Sequence, residues 1–174
     1  MAGSLIKIDE EIVTSSVAFV DLGGANWDSS YDVYMVRING LTCSTGIQTT
    51  NVRVLVSSSP DTTSNYDRAY KEFKTNTTFS DRSATNESNA RIFAQPRLAL
   101  PENSNAIMYL FNFNSSSEYS FATLESVQSS GIGGNNSYQG GLVHTVAQSC
   151  NGIRIYQSSG TIETGTFILY GLKK

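Results

Sequence analysis

The chain has 174 residues and a net charge of −3; 39% of it is hydrophobic and only 16% charged, the balance being made up by Ser, Thr, Asn and 14 Gly. That composition is too apolar and too weakly charged for a disordered chain, and the length suits one domain with a core of its own. Its 12 Lys and Arg are scattered along the chain rather than gathered into the basic patch that a nucleic-acid partner requires. No apolar run approaches the roughly 18 residues of a membrane span. Met1 to Glu11 lacks the basic and apolar regions of a secretion signal, so neither membrane insertion nor secretion is expected.

Residues 1–11 read as an N-terminal arm: Leu5 to Ile8 makes a short strand or lies on a partner, and Asp9-Glu10-Glu11 breaks it. Ile12 to Leu22 reads as a strand, followed by a turn-rich loop, Gly23 to Ser30, that carries the sole Trp, Trp27. In Tyr31 to Asn39, Tyr34, Val36 and Ile38 share one face of a strand and Val33, Met35 and Arg37 the other, with Asn39-Gly40 as a closing turn. Val52, Val54 and Val56 alternate in a β-branched strand over Asn51 to Ser57, which Ser58-Ser59-Pro60-Asp61 ends. The spacing of Tyr66, Ala69, Tyr70 and Phe73 fits either helix or strand, and strand is preferred. From Asn76 to Asn105 the chain reads as mostly loop, dominated by Thr, Ser, Asn, Pro96 and Pro101, with one short apolar piece at Ile92-Phe93.

Ala106 to Asn114 sets Ile107, Tyr109, Phe111 and Phe113 on one face and predicts a hairpin with Tyr119 to Val127. Ser129 to Asn136 is glycine-rich, but no helix follows, so it is no phosphate cradle. Gly141 to Ser149, Gly152 to Gln157 and the stretch Gly160 to Lys174 complete the strands. In the last, Phe167, Leu169 and Gly171 fall on one side of the pleat and Ile168, Tyr170 and Leu172 on the other. Both faces are apolar, so cover is expected on both, from an opposing sheet or from a neighbouring subunit. Eight or nine strands without a long amphipathic helix make an all-β chain: an antiparallel β-sandwich, jelly-roll-like, over residues 12–174. An immunoglobulin-type sandwich is the alternative, but Trp27 precedes both Cys43 and Cys150, against the usual Cys, Trp, Cys order.

Catalytic chemistry is sparse. His144 is the only histidine, and its phase with Leu142 and Val146 makes it a satisfied core residue rather than a base. Cys43 and Cys150 read as two reduced thiols in or near the core. Asp21, Asp28, Asp32, Asp61, Asp67 and Glu125 are the carboxylates that a glycosidase or a calcium site would draw on, and none has the spacing of a dedicated ion loop. No cofactor and no metal are expected. Asn-x-Ser/Thr matches at Asn76, Asn86, Asn114 and Asn135 follow from an Asn- and Ser-rich composition. The aromatics Trp27, Tyr31, Tyr66, Tyr138 and Tyr156 lie at loops or polar faces, where their rings would pack a subunit interface or stack on sugar.

Tyr31-Asp32-Val33-Tyr34, the Asn-rich middle, the hairpin from Ala106 to Val127 and the closing Gly165-Thr166-Phe167-Ile168-Leu169-Tyr170-Gly171-Leu172-Lys173 together resemble small structural proteins of tailed bacteriophages, especially phages of aquatic and marine bacteria. The resemblance implies a jelly-roll-like virion component assembled in the host cytoplasm and exposed on the particle. It would be a capsid decoration or cement subunit, or a small tail or fibre subunit, without enzymatic activity. It implies partners among capsid or tail proteins and a symmetric oligomer, for which a homotrimer is expected; a receptor- or glycan-binding module for host attachment is the alternative. No heptad stalk or collagen-like repeat marks a fibre shaft.

Overall fold

The structure, a computed structural model, describes residues 4–45, 48–75, 79–94, 102–129 and 134–173. In chain order the strands are β1 (Ser4–Val13), β2 (Phe19–Gly23), β3 (Val33–Cys43), β4 (Thr49–Val56), β5 (Ser59–Pro60), β6 (Tyr66–Lys74), β7 (Ser80–Glu87), β8 (Ala90–Ala94), β9 (Ser104–Phe111), β10 (Ser120–Ser129), β11 (Asn135–His144), β12 (Gly152–Gln157) and β13 (Ile162–Lys173). A single 3-10 turn, Gly24–Asn26, follows β2. Pairing is antiparallel throughout the described strands, in one sheet of eight and one of five.

The topology follows from pairing the ends of the chain first. β1 pairs with β13 and β2 with β12; β3 then takes the other edge of β13, and β4 the other edge of β12. With β9 beside β3 and β8 beside β4, the two half-orders are β1-β13-β3-β9 and β2-β12-β4-β8. This is the double Greek key of a jelly roll. Two insertions enlarge it: β5 to β7 between β4 and β8, and β10-β11 between β9 and β12. They pair with each other and widen the first sheet to β1-β13-β3-β9-β10-β11-β6-β7.

Period-two alternation decides what enters the core. Tyr34, Val36 and Ile38 on β3, Ala106, Met108 and Leu110 on β9, Ala122 and Leu124 on β10, and Phe167 and Leu169 on β13 face Val52 and Val54 on β4 and Ile153 and Ile155 on β12. Each is close to fully buried. At about 25 cal/mol per Å² of apolar surface removed from water, this shared layer is the dominant favourable contribution to folding.

Several expectations need correction. Leu5 to Ile8 lies in a strand, one of the two outcomes expected, but Asp9-Glu10-Glu11 does not break it: β1 runs on to Val13 along β13, a register shift between Lys7 and Asp9 keeping Leu5, Lys7 and Glu10 on one face. The stretch from Ile12 to Leu22 is two strands: the chain leaves one sheet after Val13 and enters the other at Phe19, crossing with only a bridge from Val17 to Ile162. Asn39-Gly40 does not end β3. Gly40, at φ 67°, forms a bulge inside it, its N–H donating to Asn105 Oδ1 at 3.0 Å and its carbonyl accepting from Thr164 Oγ1 at 3.1 Å. The turn after β4 is Ser57-Ser58, both at positive φ as a two-residue hairpin turn demands, with Ser58 N–H held by Asn151 Oδ1. The supposed loop from Asn76 to Asn105 contains β7 and β8, and Pro96 and Pro101 lie outside the described residues, as do positions 130–133 of the glycine-rich stretch. The thirteen strands among the described residues thus exceed the eight or nine expected, chiefly through these insertions.

Candidate functional site: the outer face of the eight-stranded sheet

The terminal strand was expected to need cover on both sides, and the structure supplies it asymmetrically. Phe167 and Leu169 point into the sandwich. Outward-facing Ile168, between Glu10 and Arg37 in the ladder, is only 4% exposed. This outer face continues over the whole sheet. Of the row expected on one face, Ile107 and Tyr109 on β9 turn outward, 39% and 38% exposed, while Phe113, beyond the end of the strand, is buried in the core and the smaller Ala106 and Met108 fill it beneath β9. Phe121 and Val127 on neighbouring β10 are 44% and 46% exposed.

Register makes this face continuous. One row runs Lys7, Tyr170, Met35, Tyr109, Thr123, Gly141, Ala69, Ser83, one residue per strand from β1 to β7. On one flank Phe111, Phe121 and Val143 stand opposite one another and meet Asp67. On the other flank the row is Glu10, Ile168, Arg37, Ile107, Glu125, Gln139, Lys71, Asp81. Its charges alternate in sign across the sheet, and Glu125 and Lys71 are further tied to Gln139 and Asp81. Two shallow depressions open here, one of about 600 Å³ over Phe111, Phe121 and Val143 and one of about 480 Å³ beside Arg37, Ile107 and Glu125. Exposed apolar side chains grouped in depressions of this kind, with charged groups beside them, make this face the candidate binding surface.

The five aromatics singled out from the sequence are not brought together. Tyr66 and Tyr138 are buried and offer no ring to a sugar: the Tyr66 hydroxyl donates to the Asp61 carbonyl at 2.9 Å and accepts from Val54 N–H at 3.1 Å, and Tyr138 donates to Glu72 Oε1 at 2.7 Å. Their positions look polar in sequence because Asp67 and Arg68 follow Tyr66, and Ser137 and Gln139 flank Tyr138. Trp27 and Tyr31 close one end of the sandwich. The indole lies 4.0 Å from the Tyr34 ring and 5.8 Å from Phe113, and Tyr31 sits on Gly171, where a Cβ would come within 2.4 Å of its ring. Asn114 is the hub of that cluster, accepting from Trp27 Nε1 at 2.9 Å and contacting Tyr31 O and Tyr34 Oη through Nδ2. Its role there is structural, which the Asn-Ser-Ser spelling could not reveal. Tyr156 alone lies on an outer face, that of the five-stranded sheet, beneath Arg53.

His144 is fully buried, as its phase indicated, with Nε2 at 2.6 Å from Asp61 Oδ2 and the ring beside Tyr66. Burial pushes the Asp61 carboxyl up, but hydrogen bonds from the Thr63 side chain and backbone, from His144 and from Asn65 outweigh it and hold the group at about 2. The pair has no access to a substrate and ties the turn after β5 to β11. Glu72, 2% exposed in its side chain, accepts from Tyr138 and Arg82 and pairs with Lys74. Cys43 and Cys150 are buried and unbridged. Among the described residues no three His, Cys, Asp or Glu converge on a metal-sized site, and no helix is long and apolar enough to cross a membrane.

The chain matches no protein-family model, and a search of curated proteins finds no match.

Proposed function

We propose that this chain is a bacteriophage virion structural protein, exposed on the particle as a capsid decoration or cement subunit or as a small tail or fibre subunit, acting by assembly rather than by turnover. The observation that carries the reading is the outer face of the eight-stranded sheet, where large apolar side chains stand exposed at mid-sheet beside and within a row of alternating charge. The occupant it suits is a second copy of this chain. Eight strands about 4.8 Å apart and eight residues of about 3.3 Å each cover roughly 1,000 Å², above the ~800 Å² per partner of a standard stable interface. Alternating charges let copies meet without net repulsion, and a homotrimer is the stoichiometry proposed, each copy turning this face to a three-fold axis and sharing it between two neighbours. Jelly rolls serve both capsids and lectins, so the fold agrees with this reading by analogy only. Electron microscopy of particles lacking the protein tests it: lost surface density or weakened shells are expected, and an unchanged particle rejects the reading.

A second reading, a receptor- or glycan-binding module for host attachment, is favoured by the arginine and aromatic array on the outer face of the other sheet.

A further inference from the structure

On the five-stranded sheet, register places Asp21, Arg154 and Arg53 in one outward row and Phe19, Tyr156, Asn51 and Arg91 in the next. Arg154 is fully committed: Nε and Nη2 each donate to Asp21 at 2.7 Å, and the guanidinium lies 3.5 Å from the centre of the Phe19 ring. Arg53 stands directly opposite Arg154 on the ladder. It lies 4.8 Å over the Tyr156 ring and, among the described residues, makes one hydrogen bond, from Nε to the Ser88 carbonyl at 2.8 Å. Like charges facing each other across a ladder destabilise a sheet, and Asp21 balances only one of the two. Register sets Arg91 one strand further on, in the row of Phe19 and Tyr156. On a chain of net charge −3, this concentration of positive charge runs against the composition. Phe19, 44% exposed, sets an apolar ring beside it.

We propose that this face binds an acidic polysaccharide, with sugar carboxylates held by Arg53 and Arg91 and the C–H face of a neighbouring ring laid on the side of Phe19 that Arg154 leaves exposed and on the edge of Tyr156. Planar guanidinium groups recognise carboxylate oxygens in pairs, and exposed aromatic rings take the apolar side of a pyranose. A uronate polymer presents both features in alternation, whereas an acidic peptide would use the arginines and leave Phe19 idle. The inference rests on the host-attachment reading and is independent of assembly through the opposite sheet.

Titration calorimetry on the full chain, with an oligogalacturonate, a neutral maltooligosaccharide of equal length and a poly-glutamate peptide, tests it. The oligogalacturonate is expected to bind, with affinity falling about tenfold in Arg53→Gln and further in the Arg53→Gln/Arg91→Gln double variant. Phe19→Ala, an exposed position, should weaken it too, while Lys173→Gln, at the exposed end of β13, should leave it unchanged. Failure to bind oligogalacturonate, equal binding of poly-glutamate, or an unaltered affinity in Arg53→Gln overturns the proposal. If only the neutral oligosaccharide binds, this site is wrong and the attachment reading survives; if no saccharide binds, both fall.

Discussion

Asp61 shows how one side chain can organise a region without doing chemistry. Its carboxylate gathers Thr63 and His144, and its backbone carbonyl takes the Tyr66 hydroxyl, so the turn leading into β6 is fixed to the core from three directions. The folded-state value of about 2 lies below the ordinary 3.8, so the charged carboxylate stabilises the fold above pH 4, and that contribution is lost as the pH falls through 3.8 toward 2. Asp61→Asn is therefore expected to lower stability by about 2 kcal/mol at pH 6, and the gap from wild type should shrink between pH 4 and pH 2 in denaturant titrations. A gap that does not change with pH would show that geometry, not charge, is what Asp61 supplies. Glu72 is a second such anchor: burial pushes its carboxyl up, but hydrogen bonds from Tyr138, Arg82 and Lys74 leave it below the ordinary carboxylate range.

At the scale of elements, the inserted strands decide the width of the sheet, and β11 is the joint between them. Gly140 lies so close to β6 that a Cβ there would meet the Ala69 carbonyl oxygen at 2.2 Å and Tyr70 Cα at 2.7 Å. Gly140→Ala is expected to cost about 2 kcal/mol or more and to release β6 and β7 first, read as faster amide exchange there than in β3 or β13. Uniform exchange across the sheet would contradict that order. The same insertions account for what the sequence left hidden. Strands with strict apolar alternation on one face, such as Val52, Val54 and Val56, were legible because burial enforces period two. β7 was not legible: Ser80–Glu87 is an edge strand held by its backbone to β6, with almost every side chain in water, so nothing in its spelling separates it from a loop. β9 was legible as a strand but not in orientation, since either Ile107-Tyr109-Phe111 or Ala106-Met108-Leu110 could have faced inward. The larger set lies outside, and that reversal creates the candidate site. His144 was readable from phase alone, but Asp61, its partner 83 residues away, was not, because only the tertiary fold joins them.

The whole molecule is a jelly roll with two outer faces of opposite character. The wider sheet shows apolar rings among balanced charges, and the narrower shows arginines stacked on rings with a surplus of positive charge. On the two proposals made above, one face would take identical copies and the other an acidic ligand. The most direct test of the assembly claim is the mass in solution by light scattering, for the wild type and for Phe121→Arg, which places a charge at the centre of the wide face. The account predicts three times the 18.9 kDa chain mass for the wild type and one chain mass for a still-folded Phe121→Arg. A wild-type protein that stays a monomer at high concentration, with Ile107, Tyr109 and Phe121 left in water, would contradict it.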